Sequence, residues 1–133
     1  MKQSLLFILS LLIFSSCEKD SPALVLNGTY SGTFTLSNND PLANSQNITT
    51  STYITVKGDE YYSPSGNILK GGQGKFTVNS GVITFRDTLL RPAIGDGNLI
   101  LTGDYNYEIK ADSLFLSKKS GYNSYSYRLG KAN

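Results

Sequence analysis

Leu99-Ile100-Leu101-Thr102-Gly103-Asp104-Tyr105-Asn106-Tyr107-Glu108-Ile109-Lys110 sorts its side chains by parity. Leu99, Leu101, Gly103, Tyr105, Tyr107 and Ile109 fall on one side, and Thr102, Asp104, Asn106, Glu108 and Lys110 on the other. Successive side chains of a strand point to opposite faces. The stretch therefore reads as one long strand with an apolar and a polar face. Ala111-Asp112 turns it back into Leu114 and Leu116. Lys118 to Gly121 then turns the chain into Tyr125, Tyr127 and Leu129, with Ser124, Ser126 and Arg128 facing out. Three strands joined by short turns make a meander. Gly103 gives up packing and costs conformational entropy inside a strand, which marks a bend at a barrel corner.

Upstream the same reading continues. Thr29-Tyr30-Ser31-Gly32-Thr33-Phe34-Thr35-Leu36 alternates Ser or Thr with Tyr, Gly, Phe and Leu, as a half-buried strand does. Ile54 and Val56 extend that pattern to a second strand, and Gly58-Asp59 suits a two-residue turn into a third strand over Glu60 to Ser63. Pro64-Ser65-Gly66-Asn67 interrupts it. Phe76 and Val78 pair across Asn79-Ser80-Gly81 with Ile83 and Phe85 as a hairpin. Gly71-Gly72-Gln73-Gly74 precedes a strand rather than a helix, so it lacks the helix amino terminus that lets glycine loops hold phosphate, and reads as a flexible loop. The fold class is all-β. About eight antiparallel strands with short turns predict an up-and-down barrel, whose closure removes exposed edges. A two-sheet sandwich is the alternative, although the chain has no Trp and no cysteine pair to mark an immunoglobulin-type core.

The amino terminus has a different logic. Lys2 precedes an apolar run from Leu5 to Phe14 broken only by Ser10, and Ser15-Ser16-Cys17 follows. That layout is a secretory signal. The run is half of the roughly 20 residues a membrane-spanning helix needs. Ile13-Phe14-Ser15-Ser16-Cys17 resembles the lipobox of bacterial lipoproteins, with Phe14 where Leu is more usual. The resemblance implies diacylglycerol on the Cys17 thiol, cleavage before it, and a membrane held through the acylated Cys17. Cys17 is the sole cysteine of the chain, so an exported protein has no internal disulfide to make with it. The organisation expected is a signal peptide over 1–16, a lipidated tether over 17–26 and one β-barrel domain over 27–133, exported to the cell envelope at the outer membrane as a monomer.

Composition removes several function classes. Twelve Lys or Arg stand against ten Asp or Glu with no like-charge run, which gives no electrostatic footprint for nucleic acid. There is no His, and the one Cys is committed to lipid, so the usual general base and soft metal ligands are missing. Asp59-Glu60, Asp87, Asp96 and Asp104 are the carboxylates from which a glycosidase-type pair would be drawn; as turn and solvent-face residues they need no such role. Asp96-Gly97-Asn98 falls short of a calcium loop and reads as a turn. No catalytic residue, metal or cofactor is expected, and the chain is read as a non-enzyme.

Nine tyrosines form the one suggestive constellation. Tyr30, Phe34, Tyr105, Tyr107, Tyr125 and Tyr127 share the inward face and are the candidate ligand-binding residues for a small molecule with an apolar body and a few polar groups. The alternative is that the rings simply fill a tight core, since eight-stranded barrels have interiors just wide enough for side chains. The polar segment Ser37 to Asn47 is a lid or contact loop, or a mobile insertion. A competing class is a surface interaction protein, for which Tyr53, Tyr61 or Tyr62 and Tyr122 would supply exposed rings.

Leu26-Asn27-Gly28-Thr29-Tyr30-Ser31-Gly32-Thr33-Phe34, Gly103 to Tyr107, Asp112 to Leu116 and Tyr125 to Leu129 resemble the small lipocalin-like lipoproteins of the Bacteroidetes type. Gly28-Thr29-Tyr30 stands where lipocalins carry Gly-x-Trp. The resemblance implies a ligand-holding barrel. In the same type of protein, Cys17-Glu18-Lys19-Asp20 looks like a surface-export signal, while Asp87-Thr88-Leu89 and Asp112-Ser113-Leu114 resemble O-glycosylation acceptors at Thr88 and Ser113.

Overall fold

A computed structural model describes residues 25–92 and 95–133. Residues 1–24, over which the sequence predicts a signal peptide, an acylated Cys17 and most of a tether, lie outside the described residues. Eight antiparallel strands close into a barrel in chain order: β1 (Gly28–Asn38), β2 (Asn47–Lys57), β3 (Glu60–Ser63), β4 (Gly72–Asn79), β5 (Val82–Asp87), β6 (Gly103–Lys110), β7 (Ser113–Ser120) and β8 (Asn123–Lys131). Gly58-Asp59, Ser80-Gly81, Ala111-Asp112 and Gly121-Tyr122 are the two-residue turns left between the last strand pairs. The barrel is the expected one, and the sandwich is not formed.

The register divides the barrel into two ends. Gly28, the β2–β3, β4–β5 and β6–β7 turns and the carboxyl terminus lie at one end. The three long connections, 39–46, 64–71 and 88–102, lie at the other. Parity then sets the core. Tyr30 and Phe34 of β1, Ile54 and Val56 of β2, Ile83 and Phe85 of β5 and Leu114 and Leu116 of β7 all point inward and are buried. Leu26, ahead of β1, is also buried among them, so the packed body begins before residue 27.

Five local expectations need correction. The strand read from Leu99 begins only at Gly103. Asp96 accepts a hydrogen bond from the Asn98 N–H and caps a 3-10 turn over Gly97–Leu99, and Gly103 enters β6 at φ +82°, a left-handed conformation that favours glycine. Gly103 is thus a bend at the strand's first residue rather than within it. Ile109 has the inward parity yet is exposed, because β5 accompanies β6 only as far as Asn106 and the lower end of β6 overhangs. Gly71-Gly72-Gln73-Gly74 is not a loop: Gly71 bridges to Ile100, Gly72 opens β4, and both are buried. A Cβ on Gly74 would sit on the Arg86 carbonyl oxygen, so glycine is what lets β4 and β5 approach there. Lys118, Lys119 and Ser120 continue β7 instead of turning. The polar segment Ser37 to Asn47 is shortened at both ends, since Ser37 and Asn38 belong to β1 and Asn47 to β2.

Candidate functional site

Alternating strands deliver the six candidate ligand-binding residues to one interior. Phe34 is fully buried, Tyr30, Tyr105, Tyr125 and Tyr127 are buried, and Tyr107 is half-buried against the same cluster. Three of these rings, Phe34, Tyr105 and Tyr127, meet at the separations of favourable aromatic pairs. Phe34 lies 4.9 Å from Tyr127, Tyr127 lies 5.9 Å from Tyr105 edge-on, and Tyr105 lies 5.8 Å from Phe85. Tyr61, offered by the sequence as an exposed ring of a contact surface, is instead buried and joins this set at 4.8 Å from Phe85. The interior is packed with rings, as the core-filling alternative anticipates.

The polar atoms inside that packing are unevenly served. The Tyr61 hydroxyl donates to the Leu101 carbonyl at 2.6 Å. The Tyr125 hydroxyl donates to the Asp96 carboxylate at 2.8 Å and accepts from the Asn123 amide at 3.3 Å. The hydroxyls of Tyr105 and Tyr127, and those of Thr52 and Ser63, are buried with no hydrogen-bond partner among the described residues. Buried polar groups in folded proteins are nearly always paired with protein or with ordered water. Burial raises the phenols of Tyr61, Tyr105 and Tyr127 above the ordinary value, and the Tyr105 and Tyr127 hydroxyls lie near enough for hydrogen bonding between them to act on both, although they do not meet good hydrogen-bond geometry.

Lys118 belongs to this site although the sequence pattern had placed it in a turn. It follows Leu114 and Leu116 on the inward side of β7. Its Nζ donates to the Thr102 carbonyl at 3.1 Å and stands 4.7 Å from the centroid of the Tyr105 ring and 5.9 Å from that of Tyr125. Burial pulls its ammonium below the ordinary lysine value, against the opposing pull of Asp96 and Asp104. Burial by itself would raise the Asp96 carboxyl, but the Asn98 N–H, the Tyr125 hydroxyl, the Asn98 amide and Lys118 outweigh it and hold it below its usual range. Counting parity onward from Leu114 would have found Lys118. The Asp96 tie to Tyr125 spans 29 residues and leaves no local signal.

The remaining candidates lie apart from the interior. Thr88 is exposed and its hydroxyl donates to the Gln73 carbonyl at 3.0 Å; Ser113 is half-buried in the ladder between Lys110 and Gly130. Asp59 pairs with Lys75, Asp87 with Arg91, and Asp104 accepts from the Thr84 hydroxyl. These three carboxylates sit on separate hairpins, each with its own partner, rather than facing one another across a cleft. Depressions of about 420, 470 and 390 Å³ lie along the outer wall, over β2–β4, β6–β8 and the lower β6–β8 face respectively. On the first of these walls Tyr53 and Tyr62 are exposed and paired at 6.3 Å, and Tyr122 projects from the β7–β8 turn. Tyr61, the other ring of that set, is buried. Comparison with protein families, with curated proteins and with solved structures finds no match to this chain.

Proposed function

We propose that this protein is a lipid-anchored binding module of the cell envelope, a lipocalin-like lipoprotein whose barrel holds a small apolar or amphipathic molecule and catalyses no reaction. The observation that carries the reading is the pair of Tyr105 and Tyr127 hydroxyls, buried beside each other inside an aromatic barrel with no hydrogen bond of good geometry. A ligand with an apolar body and one or two polar groups supplies what those hydroxyls lack while keeping the rings in an apolar environment. Acylation of Cys17 would tether the chain by the end where β1 begins. The three long connections would then face away from the membrane, toward whatever brings the ligand.

The test is organic extraction of the lipoprotein purified from its own membranes, followed by mass spectrometry. One small molecule recovered in near-equal amount to protein is the expected result. An extract holding only bulk membrane lipid, in the proportions of the membrane itself, overturns the reading. A second reading rests on the exposed Tyr53–Tyr62 pair, whose rings suit contact with another macromolecule. Cross-linking in intact cells that captures one stoichiometric protein partner through this face, with no small molecule in the extract, favours it.

A further inference from the structure

The outer wall over β2, β3 and β4 carries two rows of side chains that the register sets side by side. Thr55, Tyr62 and Gln73 make one row and Lys57, Glu60 and Lys75 the next, each residue facing its neighbour across a ladder. All six point outward, because Val56, Tyr61 and Phe76, their neighbours in sequence, are buried in the core. The two rows line the depression of about 420 Å³, a volume in the range of small-molecule sites. Tyr53 lies two residues up β2 from Thr55, and its ring centroid stands 6.3 Å from that of Tyr62. Tyr53 is 39% and Tyr62 44% exposed, so both rings have surface left to cover.

The chemistry of this wall narrows what it can take. The described residues that line the depression include no aliphatic side chain, so the exposed tyrosine rings are its apolar surface, and an alkyl chain or an apolar peptide gains little there. Around the rings stand a hydroxyl on Thr55, an amide on Gln73 and a carboxylate on Glu60. Within the described residues the Gln73 amide and the Glu60 carboxylate make no hydrogen bond or ion pair, which leaves both open to a ligand. The charges balance. Lys75 is held by Asp59 at 2.9 Å, and Lys57 faces Glu60 across the ladder, so two cations meet two carboxylates and the wall attracts neither an anion nor a cation. A neutral molecule with an apolar face and a rim of hydroxyls matches every one of these groups. A pyranose sugar is such a molecule. Its C–H face lies on the negative face of an aromatic ring, and its hydroxyls both donate and accept, as an amide, a carboxylate and an ammonium require. Two adjacent rings take two successive units of a chain.

We propose that the outer β2–β4 wall is a carbohydrate-binding site for a neutral oligosaccharide of pyranose units, with Tyr62 and Tyr53 as stacking platforms and Gln73 and Glu60 as the groups that read its hydroxyls. The site lies outside the barrel and is independent of the interior ligand. It gives the exposed tyrosine pair to a glycan rather than to a protein.

The test is calorimetric titration of the full chain, in micelles of a detergent without a sugar headgroup, with maltohexaose, cellohexaose, mannohexaose and the anionic hexagalacturonate. At least one neutral hexasaccharide is expected to bind, and hexagalacturonate to bind more weakly than it does. Tyr62→Ala and Tyr53→Ala should each weaken that binding roughly tenfold, the loss of one stacked ring. Tyr62→Phe should retain it, because the ring face and not the hydroxyl is the platform. Gln73→Ala should cost about threefold, as the loss of one exposed hydrogen bond does. Unchanged urea midpoints for the alanine variants separate binding from folding. Binding of none of the three neutral sugars, tighter binding of hexagalacturonate, or affinity that survives both tyrosine-to-alanine changes overturns the site. A protein captured through Tyr53 and Tyr62 in intact cells while the sugars stay silent overturns it in favour of a protein partner. None of these outcomes bears on the interior ligand, which mass spectrometry of the extract reads separately.

Discussion

Tyr127→Phe removes one oxygen from the middle of the barrel and leaves the ring contacts with Phe34 and Tyr105 in place. A buried hydroxyl without a partner carries a desolvation cost of about 1–3 kcal/mol. Deleting the oxygen relieves that cost, and part of the gain is lost to the small void left behind. The ligand-free variant is therefore expected to be as stable as the wild type or more stable by about 1 kcal/mol. Tyr61→Phe is the matched control, because its hydroxyl donates to the Leu101 carbonyl at 2.6 Å. That change strips a buried carbonyl of its donor and is expected to cost about 1–2 kcal/mol. The assay is urea unfolding with slope and midpoint fitted separately, since a midpoint shift at unchanged slope reports stability itself. In a domain of this size, 1 kcal/mol corresponds to roughly 4–8 °C in melting temperature. A loss at Tyr127→Phe as large as that at Tyr61→Phe would show that the Tyr127 hydroxyl is satisfied in the ligand-free fold. The argument from unpartnered hydroxyls would then fail.

Three other outcomes follow from separate parts of the molecule. Gly74→Ala should cost at least about 1–3 kcal/mol, as overpacking against the Arg86 backbone does, while Gly97→Ala, with open space around it, should stay within about 0.5 kcal/mol; equal urea midpoints for the two variants would refute the close approach of β4 and β5. Burial raises the phenols of Tyr61, Tyr105 and Tyr127 above their unfolded value of 10.0, so the stability linked to their protons is complete below pH 10 and is lost as pH climbs above it. Tyrosinate absorbance should accordingly reach all nine residues only as the far-UV signal collapses, and a full tyrosinate yield from an intact barrel would contradict this. Cys17→Ala should abolish palmitate labelling and membrane fractionation while leaving the fold untouched, and label retained by the variant would end the lipoprotein reading.

Most of the barrel was legible because inward and outward residues alternate so regularly. Phe76–Phe85, Val78–Ile83 and Leu116–Tyr127 face each other as hairpin arithmetic from the turns requires. The misreading of Ile109 has a physical origin in closure. Parity is local to a strand, whereas the stagger between strands is a property of the closed barrel. Nothing in Leu99 to Lys110 says that β5 will leave β6 at Asn106, so Ile109 looked inward and overhangs instead. Gly71 to Gly74 looked like a loop because small residues carry no pattern, and only the Arg86 backbone lying against Gly74 gives the run its meaning. Lys118-Lys119-Ser120-Gly121 looked like a turn because it is polar, yet Lys118, Lys119 and Ser120 pair with β8 and only Gly121 lies in the turn. The stagger that exposes Ile109 at one end of β6 is the same stagger that parts β6 from β7 at the other. It opens a gap in the wall where a charged side chain can reach both the interior rings and the outside. Parity counted on from Leu114 and Leu116 reaches Lys118 within β7 itself, whereas the gap beside it comes from the way eight strands close and has no signal within any one strand.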